Sequence, residues 1–174
     1  QVGYFSGISN QIIWNNKHFP VPRPGVPSTI AYHENAFYLY YHSDQCLYKL
    51  DKGKLNLIEK GCAGFSFAGN RLFIARFQHP FIILADHATN SQQAIQICDH
   101  INFSLLAGTQ NGLFYVRAVN EKDLSVYIFK ISPAGMILDV KKIPEHIKVK
   151  VNPDGIIYYL DLKKNTAIVK LLDF

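Results

Sequence analysis

Asn111-Gly-Leu-Phe-Tyr-Val-Arg117 places a turn residue before an unbroken apolar, aromatic-rich run of strand length. The pattern occurs four times, and the first residues of successive copies lie 35, 41 and 43 positions apart. The other copies are Asn35-Ala-Phe-Tyr-Leu-Tyr-Tyr41, Asn70-Arg-Leu-Phe-Ile-Ala-Arg76 and Asp154-Gly-Ile-Ile-Tyr-Tyr-Leu160, with a fainter one at Asn10. A repeat of about 40 residues built from short strands is typical of stacked β-meanders.

Each copy is flanked by further short apolar runs, separated by turns rich in Gly, Pro, Asn and Asp. One run precedes the copy and two follow it, so the sequence predicts a unit of four antiparallel strands with the copy itself as the second strand. In the unit around Asn35 the predicted strands are residues 29–32, 36–41, 46–50 and 55–58.

The second strand of the unit is apolar on both of its faces. In the Asn35 copy, Phe37, Leu39 and Tyr41 point one way. Tyr38 and Tyr40 point the other way. A strand that is buried on both faces needs a neighbouring layer above and below its sheet. Radial packing of four-stranded sheets, as in a β-propeller, supplies those layers.

The predicted fold is therefore all-β, a propeller-like stack of about four to five blades within a single domain spanning residues 1–174. Few residues follow Asp154, so we expect an N-terminal strand, 2–5 or 11–14, to complete the last sheet. A β-sandwich is the alternative. Because the chain starts with Gln1 rather than Met, we expect it to be a piece of a larger protein.

Composition supports the all-β class and excludes several others. The 174 residues are 48% apolar, and 12 Phe and 10 Tyr against one Met favour pleated sheets over helices. No run approaches 18 apolar residues, so we expect no membrane span in this segment. The net charge of +5 comes from scattered lysines without the clustering of a nucleic-acid surface, so we expect no nucleic-acid partner for this domain.

The three cysteines form neither a disulfide framework nor a C-x-x-C metal motif. Cys46 and Cys98 lie inside strand-like runs and are predicted to be core residues, whereas Cys62, next to Gly61, is expected to be the most accessible. No phosphate loop or common catalytic motif is present, and the sequence indicates no cofactor and no metal.

The segment Asn152-Pro-Asp-Gly-Ile-Ile-Tyr-Tyr-Leu-Asp-Leu162 resembles the Pro-Asp-Gly repeat of TolB-type β-propellers. The general strand pattern is also WD40-like, although the chain has no Trp-Asp dipeptide. The resemblance implies a bacterial, extracytoplasmic (periplasmic) role, in a periplasmic assembly or as the sensor end of a membrane-tethered transcription regulator.

Histidines are the main candidates for chemistry, and the strand order sorts them. The turns that follow the second and fourth strands of each unit emerge on one rim of the stacked sheets, so the histidines in these turns are predicted to cluster there. His33 and His87 fall on the opposite rim. The candidate residues on this rim are His42, Asp44, His79, Asp99, His100 and His146, with Glu121, Asp123 and Glu145 nearby. Imidazoles beside carboxylates would suit ligand binding or pH sensing. His87 and His100 are predicted to lie about 20 Å apart and so to share no metal.

These features favour a non-catalytic binding or sensory module that presents its loop rims to a protein or small ligand. One alternative is a propeller-type hydrolase or lyase with acid–base histidines at a channel mouth. The other alternative is a structural scaffold that binds no small ligand.

Overall fold

The structure, a computed structural model, describes residues 3–145, 147–152, 154–163 and 166–172. These residues form eighteen strands and no helix, which confirms the all-β prediction. The chain divides into two compact units, Gln1–Cys62 and Ala63–Phe174.

The first unit contains two antiparallel sheets that follow one another along the chain. A three-stranded meander is followed by a four-stranded one. The first sheet comprises β1 (Gly3–Ser6), β2 (Gln11–Trp14) and β3 (Lys17–Pro20), and the second comprises β4 (Thr29–His33), β5 (Ala36–Tyr41), β6 (Cys46–Asp51) and β7 (Lys54–Lys60).

The turn before β5 shows why a turn residue starts each copy. Glu34 and Asn35 have φ angles of 46° and 62°, the left-handed pair that a tight hairpin between β4 and β5 requires. Asparagine tolerates this conformation better than most residues. Because this turn has two residues, His33 lies opposite Ala36, and this pair fixes the register of the whole hairpin.

The core of the first unit confirms the predicted two-sided burial of the second strand. All six residues of β5 are buried. Phe37, Leu39 and Tyr41 pack in one cluster with Ile12 and Val21 of the N-terminal segment. The aromatic run therefore joins the two sheets of this unit.

The second unit continues the same meander in three more sheets. Its first sheet comprises β8 (Gly64–Ala68), β9 (Arg71–Gln78), β10 (Phe81–Asp86) and β11 (Ser91–Gln96). Its second comprises β12 (His100–Gly108), β13 (Phe114–Asn120), β14 (Val126–Ile131) and β15 (Ile137–Ile143). Its third comprises β16 (Lys148–Val151), β17 (Ile157–Lys163) and β18 (Thr166–Leu172).

The middle sheet of this unit, β12–β15, is covered on both faces. Phe114 and Val116 pack with Leu84 of the β8–β11 sheet. The alternate residues Tyr115 and Ile128 pack with Ile157 and neighbours of the β16–β18 sheet. Sheets stacked face to face are the arrangement that the double-faced aromatic run predicts.

Strand pairing at the N-terminus differs from the prediction. The described part of the last sheet has the three strands β16, β17 and β18, and β1 instead pairs with β2 from Gly3 opposite Trp14 to Ser6 opposite Gln11. The short turn at residues 7–10 folds the chain directly back, so the segment pairs locally. The described residues thus form five sheets, the first of them abbreviated.

Two of the three cysteine predictions were wrong. Cys46 is buried as expected, but Cys62 is also buried and Cys98 is exposed. The Cys62 N–H donates to the Gln45 carbonyl at 2.8 Å, which fixes this residue against the β5–β6 turn. Cys98 follows the end of β11 and so falls outside the sheet. All three are free thiols.

Candidate functional site

Loops at one end of the sheets in the second unit bring several predicted residues together. His79 Nε2 lies 2.9 Å from Glu121 Oε1, and both side chains are about half exposed. The Glu121 N–H donates to the Asp99 carbonyl at 2.9 Å, and Lys122 Nζ lies 3.2 Å from the Asp99 carboxylate. We call His79, Asp99, Glu121 and Lys122 the rim cluster.

His100 belongs to the same end of the sheet but has a different environment. Its Nδ1 lies 2.7 Å from the Cys98 carbonyl, and its ring meets Tyr127 and Phe129 edge to face at 5.2 and 5.1 Å. Its Nε2 is buried and has no hydrogen-bond partner among the described residues. His100 is thus packed against aromatic side chains, whereas His79 has a carboxylate partner.

The other predicted rim residues do not extend this cluster. His42 and Asp44 belong to the first unit, where His42 Nδ1 lies 3.3 Å from the Tyr40 hydroxyl. His146 lies outside the described residues. Over the described part of the chain, no three His, Cys, Asp or Glu side chains converge as metal ligands.

Asp44 has a partner that the sequence did not indicate. Arg23 Nη2 donates to its carboxylate at 2.6 Å, and the guanidinium stacks on the rings of Tyr41 and Tyr48 at 4.3 and 4.6 Å. Burial alone would raise the pKa of Asp44, but the hydrogen bond and charge of Arg23 outweigh it and hold that pKa below its usual value. This pair ties the proline-rich segment to the β5–β6 turn.

A pocket of about 320 Å³ lies in the second unit at the ends of β9, β10 and β11 that are remote from His79. It is bounded by the β8–β11 sheet and by the turn between β14 and β15. Its lining residues, which define the Arg71 pocket, are Arg71, Phe73, Leu84, Asp86, Ser91, Gln92, Gln93, Pro133 and Ala134.

A buried carboxylate fixes the arginine of this pocket. Only 2% of the Asp86 side chain is exposed, and it accepts hydrogen bonds from Arg71 Nε at 2.8 Å and from Arg71 Nη2. Thr89 Oγ1 donates at 2.6 Å and the Ala88 N–H at 3.0 Å. The hydrogen bonds from Arg71 and Thr89 lower the pKa of Asp86 to about 2, so the carboxylate is ionised at neutral pH.

Arg71 keeps donors for a further group. Its side chain is 53% exposed and its guanidinium lies 5.1 Å from the centre of the Phe73 ring. Asp86 uses Nε and Nη2, whereas Nη1 has no hydrogen-bond partner among the described residues. Gln93 packs against Gly135, where a Cβ would lie 2.6 Å from the Gln93 amide carbon. The pocket wall is therefore built from preorganised polar groups.

Sequence reasoning missed this pocket, although one signal was present. Asp86 ends β10 and Arg71 begins β9, so opposite charges stand at the same end of an antiparallel hairpin. The pairing itself was not apparent from the sequence, because the partner of Asp86 lies fifteen residues earlier in the chain.

No protein-family model matches the chain. No curated protein matches it either. Among the residues that the structure describes, none belongs to a helix of the length and apolarity needed to cross a bilayer. The chain's own geometry is therefore what supports a function.

Proposed function

We propose that this chain is a non-catalytic binding module whose ligand enters the Arg71 pocket with a carboxylate group. The observation that carries the proposal is the guanidinium of Arg71, held on one edge by buried Asp86 and open to the pocket on the other. A planar guanidinium recognises a carboxylate with parallel N–H donors, and orientation by Asp86 reduces the entropy lost on binding.

The neighbouring side chains define the rest of the ligand. Thr89 Oγ1 lies 2.8 Å from Ser91 Oγ and already donates to Asp86, so Ser91 donates to Thr89 and offers lone pairs to the pocket. The Gln92 and Gln93 amides can donate or accept. A small molecule or peptide end that combines a carboxylate with a hydroxyl or amide N–H fits these groups.

The charge state of the pocket favours binding over acid–base catalysis. Asp86, with a pKa of about 2, stays ionised at neutral pH and exchanges no proton there. One observation favours catalysis instead: His79 Nε2 lies 2.9 Å from Glu121 Oε1, a pair that an acid–base enzyme can use. A hydrolase or lyase is therefore the second candidate, with the rim cluster as its site.

We extend the proposal to sensing, in line with the resemblance to TolB-type propellers. Asp86 links β9 to the β10–β11 turn, and Gln93 contacts Gly135 in the turn after β14. A ligand bound at Arg71 would therefore affect contacts in two sheets at once, those of Asp86 and those of Gln93. A periplasmic sensor of a membrane-tethered regulator would use such a coupling to report occupancy.

Isothermal titration calorimetry with succinamate, which carries one carboxylate and one amide, and with succinamide as the neutral control, tests the proposal. We expect succinamate to bind and Arg71→Lys to weaken its binding at least about tenfold, since lysine can pair with Asp86 but cannot supply a second edge of donors. Arg117→Lys, on β13 and outside the pocket lining, is the matched control and should leave affinity unchanged. Equal affinity in the wild type and in Arg71→Lys would refute the site.

A further inference from the structure

Strand β15 is the outer strand of its sheet and exposes several large apolar side chains. The sheet order is β12-β13-β14-β15, and among the described residues no strand pairs with the outer side of β15. Met136, Ile137, Leu138 and Val140 are 60%, 40%, 50% and 41% exposed. An exposed apolar edge strand is a template for pairing with another chain.

Three other outer strands, β3, β7 and β11, expose fewer large apolar residues than β15. Strand β11 is Ser-Gln-Gln-Ala-Ile-Gln, mostly polar and exposed, and β3 ends in Pro20. Strand β7 has one large exposed apolar residue, Leu57. The three such residues in β15, together with Met136 directly before it, therefore distinguish this edge from those three.

The backbone of β15 also has a donor directed to its open side. The Val140 N–H donates to the carboxylate of its own neighbour Asp139 at 2.7 Å. A ladder N–H that bonds to β14 would not be available to that side chain. Because N–H directions alternate along a strand, Val140 and Lys142 present their backbone groups outward.

We propose that β15 pairs antiparallel with β15 of a second copy of this chain, about a two-fold axis at Val140. In this register Asp139 of each copy lies opposite Lys141 of the other. Val140 lies opposite its own equivalent, and its outward N–H and C=O exchange hydrogen bonds with it. The strand is thus self-complementary in charge, and the exposed side chains of the two Val140 residues face each other at the axis, as a two-fold interface requires.

The same carboxylate gives the proposal a discriminating test. If Asp139 only shields the edge, Asp139→Lys would uncover the Val140 N–H and strengthen any association. If Asp139 pairs with Lys141 of the second copy, Asp139→Lys creates two like-charge pairs and weakens the dimer. We expect a dissociation constant at least about tenfold higher for Asp139→Lys and for Lys141→Asp, which change the net charge in opposite directions.

Sedimentation equilibrium of the 174-residue chain measures these effects. The wild type should approach twice its mass of 19.8 kDa as its concentration rises. The double variant Asp139→Lys/Lys141→Asp restores opposite charges across the two-fold axis and should regain wild-type association. Lys60→Asp, an exposed position on β7, controls for net charge and should behave as the wild type.

Three results overturn the proposal. One is a wild-type mass of 19.8 kDa up to about 1 mM, the range of weak association. Another is an Asp139→Lys dimer as tight as the wild type or tighter. The third is a double variant no better than the single ones, which would exclude this register. Thermal melts of each variant distinguish lost association from lost folding.

Discussion

Replacing Asp86 by Asn should destabilise the chain in a pH-dependent manner. The asparagine side chain keeps the shape and the hydrogen bond from the Ala88 N–H, but it removes the charge that Arg71 and Thr89 satisfy. Lowering the Asp86 pKa from 3.8 to about 2 corresponds to at most about 2.5 kcal/mol of folding free energy. Because the Arg71 side chain is 53% exposed and solvent screens the pair on that side, we expect about 1–2 kcal/mol.

The direction of the pH effect follows from the lowered pKa. The folded chain holds Asp86 ionised to a lower pH than the unfolded chain does, so this stabilisation is fully present above about pH 4. It is lost as the pH falls from there towards 2. Urea denaturation at pH 7 and near pH 2.5 should therefore show a large difference between wild type and variant at pH 7 and a smaller one in acid.

Asp99→Asn is the matched control for this measurement. Asp99 is 56% exposed and pairs with Lys122, which is 75% exposed, so its loss should cost less than about 1 kcal/mol. A wild-type advantage over Asp86→Asn that is the same at both pH values would contradict the assignment of Asp86 as an ionised, buried partner of Arg71.

Three further predictions concern packing and the rim cluster. Phe114→Ala, at a fully buried position between two sheets, should cost about 3–5 kcal/mol in urea denaturation, and a cost under about 1 kcal/mol would argue against the double-faced sheet. Gly108→Ala should lower the free energy of unfolding by about 3 kcal/mol or more, since a Cβ there would lie 2.1 Å from the Phe65 carbonyl oxygen. Gly7→Ala is the control: the nearest atom to its Cβ would lie at 3.6 Å, so stability should change by less than about 0.5 kcal/mol. His79→Asn breaks a half-exposed pair and should change the free energy of unfolding by less than about 1 kcal/mol, so a larger loss would show a structural role for the rim cluster.

The order of strands was predictable because the signals for it are local. A turn residue such as Asn35 needs a left-handed conformation, and the apolar run that follows needs burial on both faces. Both constraints act within a few residues and repeat along the chain. The unpredicted pairing of β1 with β2 depends on a competition between a local hairpin and a distant sheet, which strand patterns alone do not decide.

The candidate site was less predictable because its contacts cross between strands. Strand order correctly put His79, Asp99 and Glu121 at one end of the sheet, but it did not indicate that the His100 ring packs on Tyr127 and Phe129. The Arg71–Asp86 pair depends on register and on side-chain reach across a hairpin. Sequence periodicity locates the strand ends but not the side chains that meet there.

Chemical shifts of backbone amides and of arginine guanidinium N–H groups, measured during a succinamate titration, test the central claim most directly. The binding proposal predicts saturable shifts that are largest at the Arg71 guanidinium N–H groups and at the backbone amides of Ser91 and Gln93, on the wall of the pocket. Shifts that are largest at His79 and Glu121, or no saturable shift anywhere, would contradict a ligand site at Arg71.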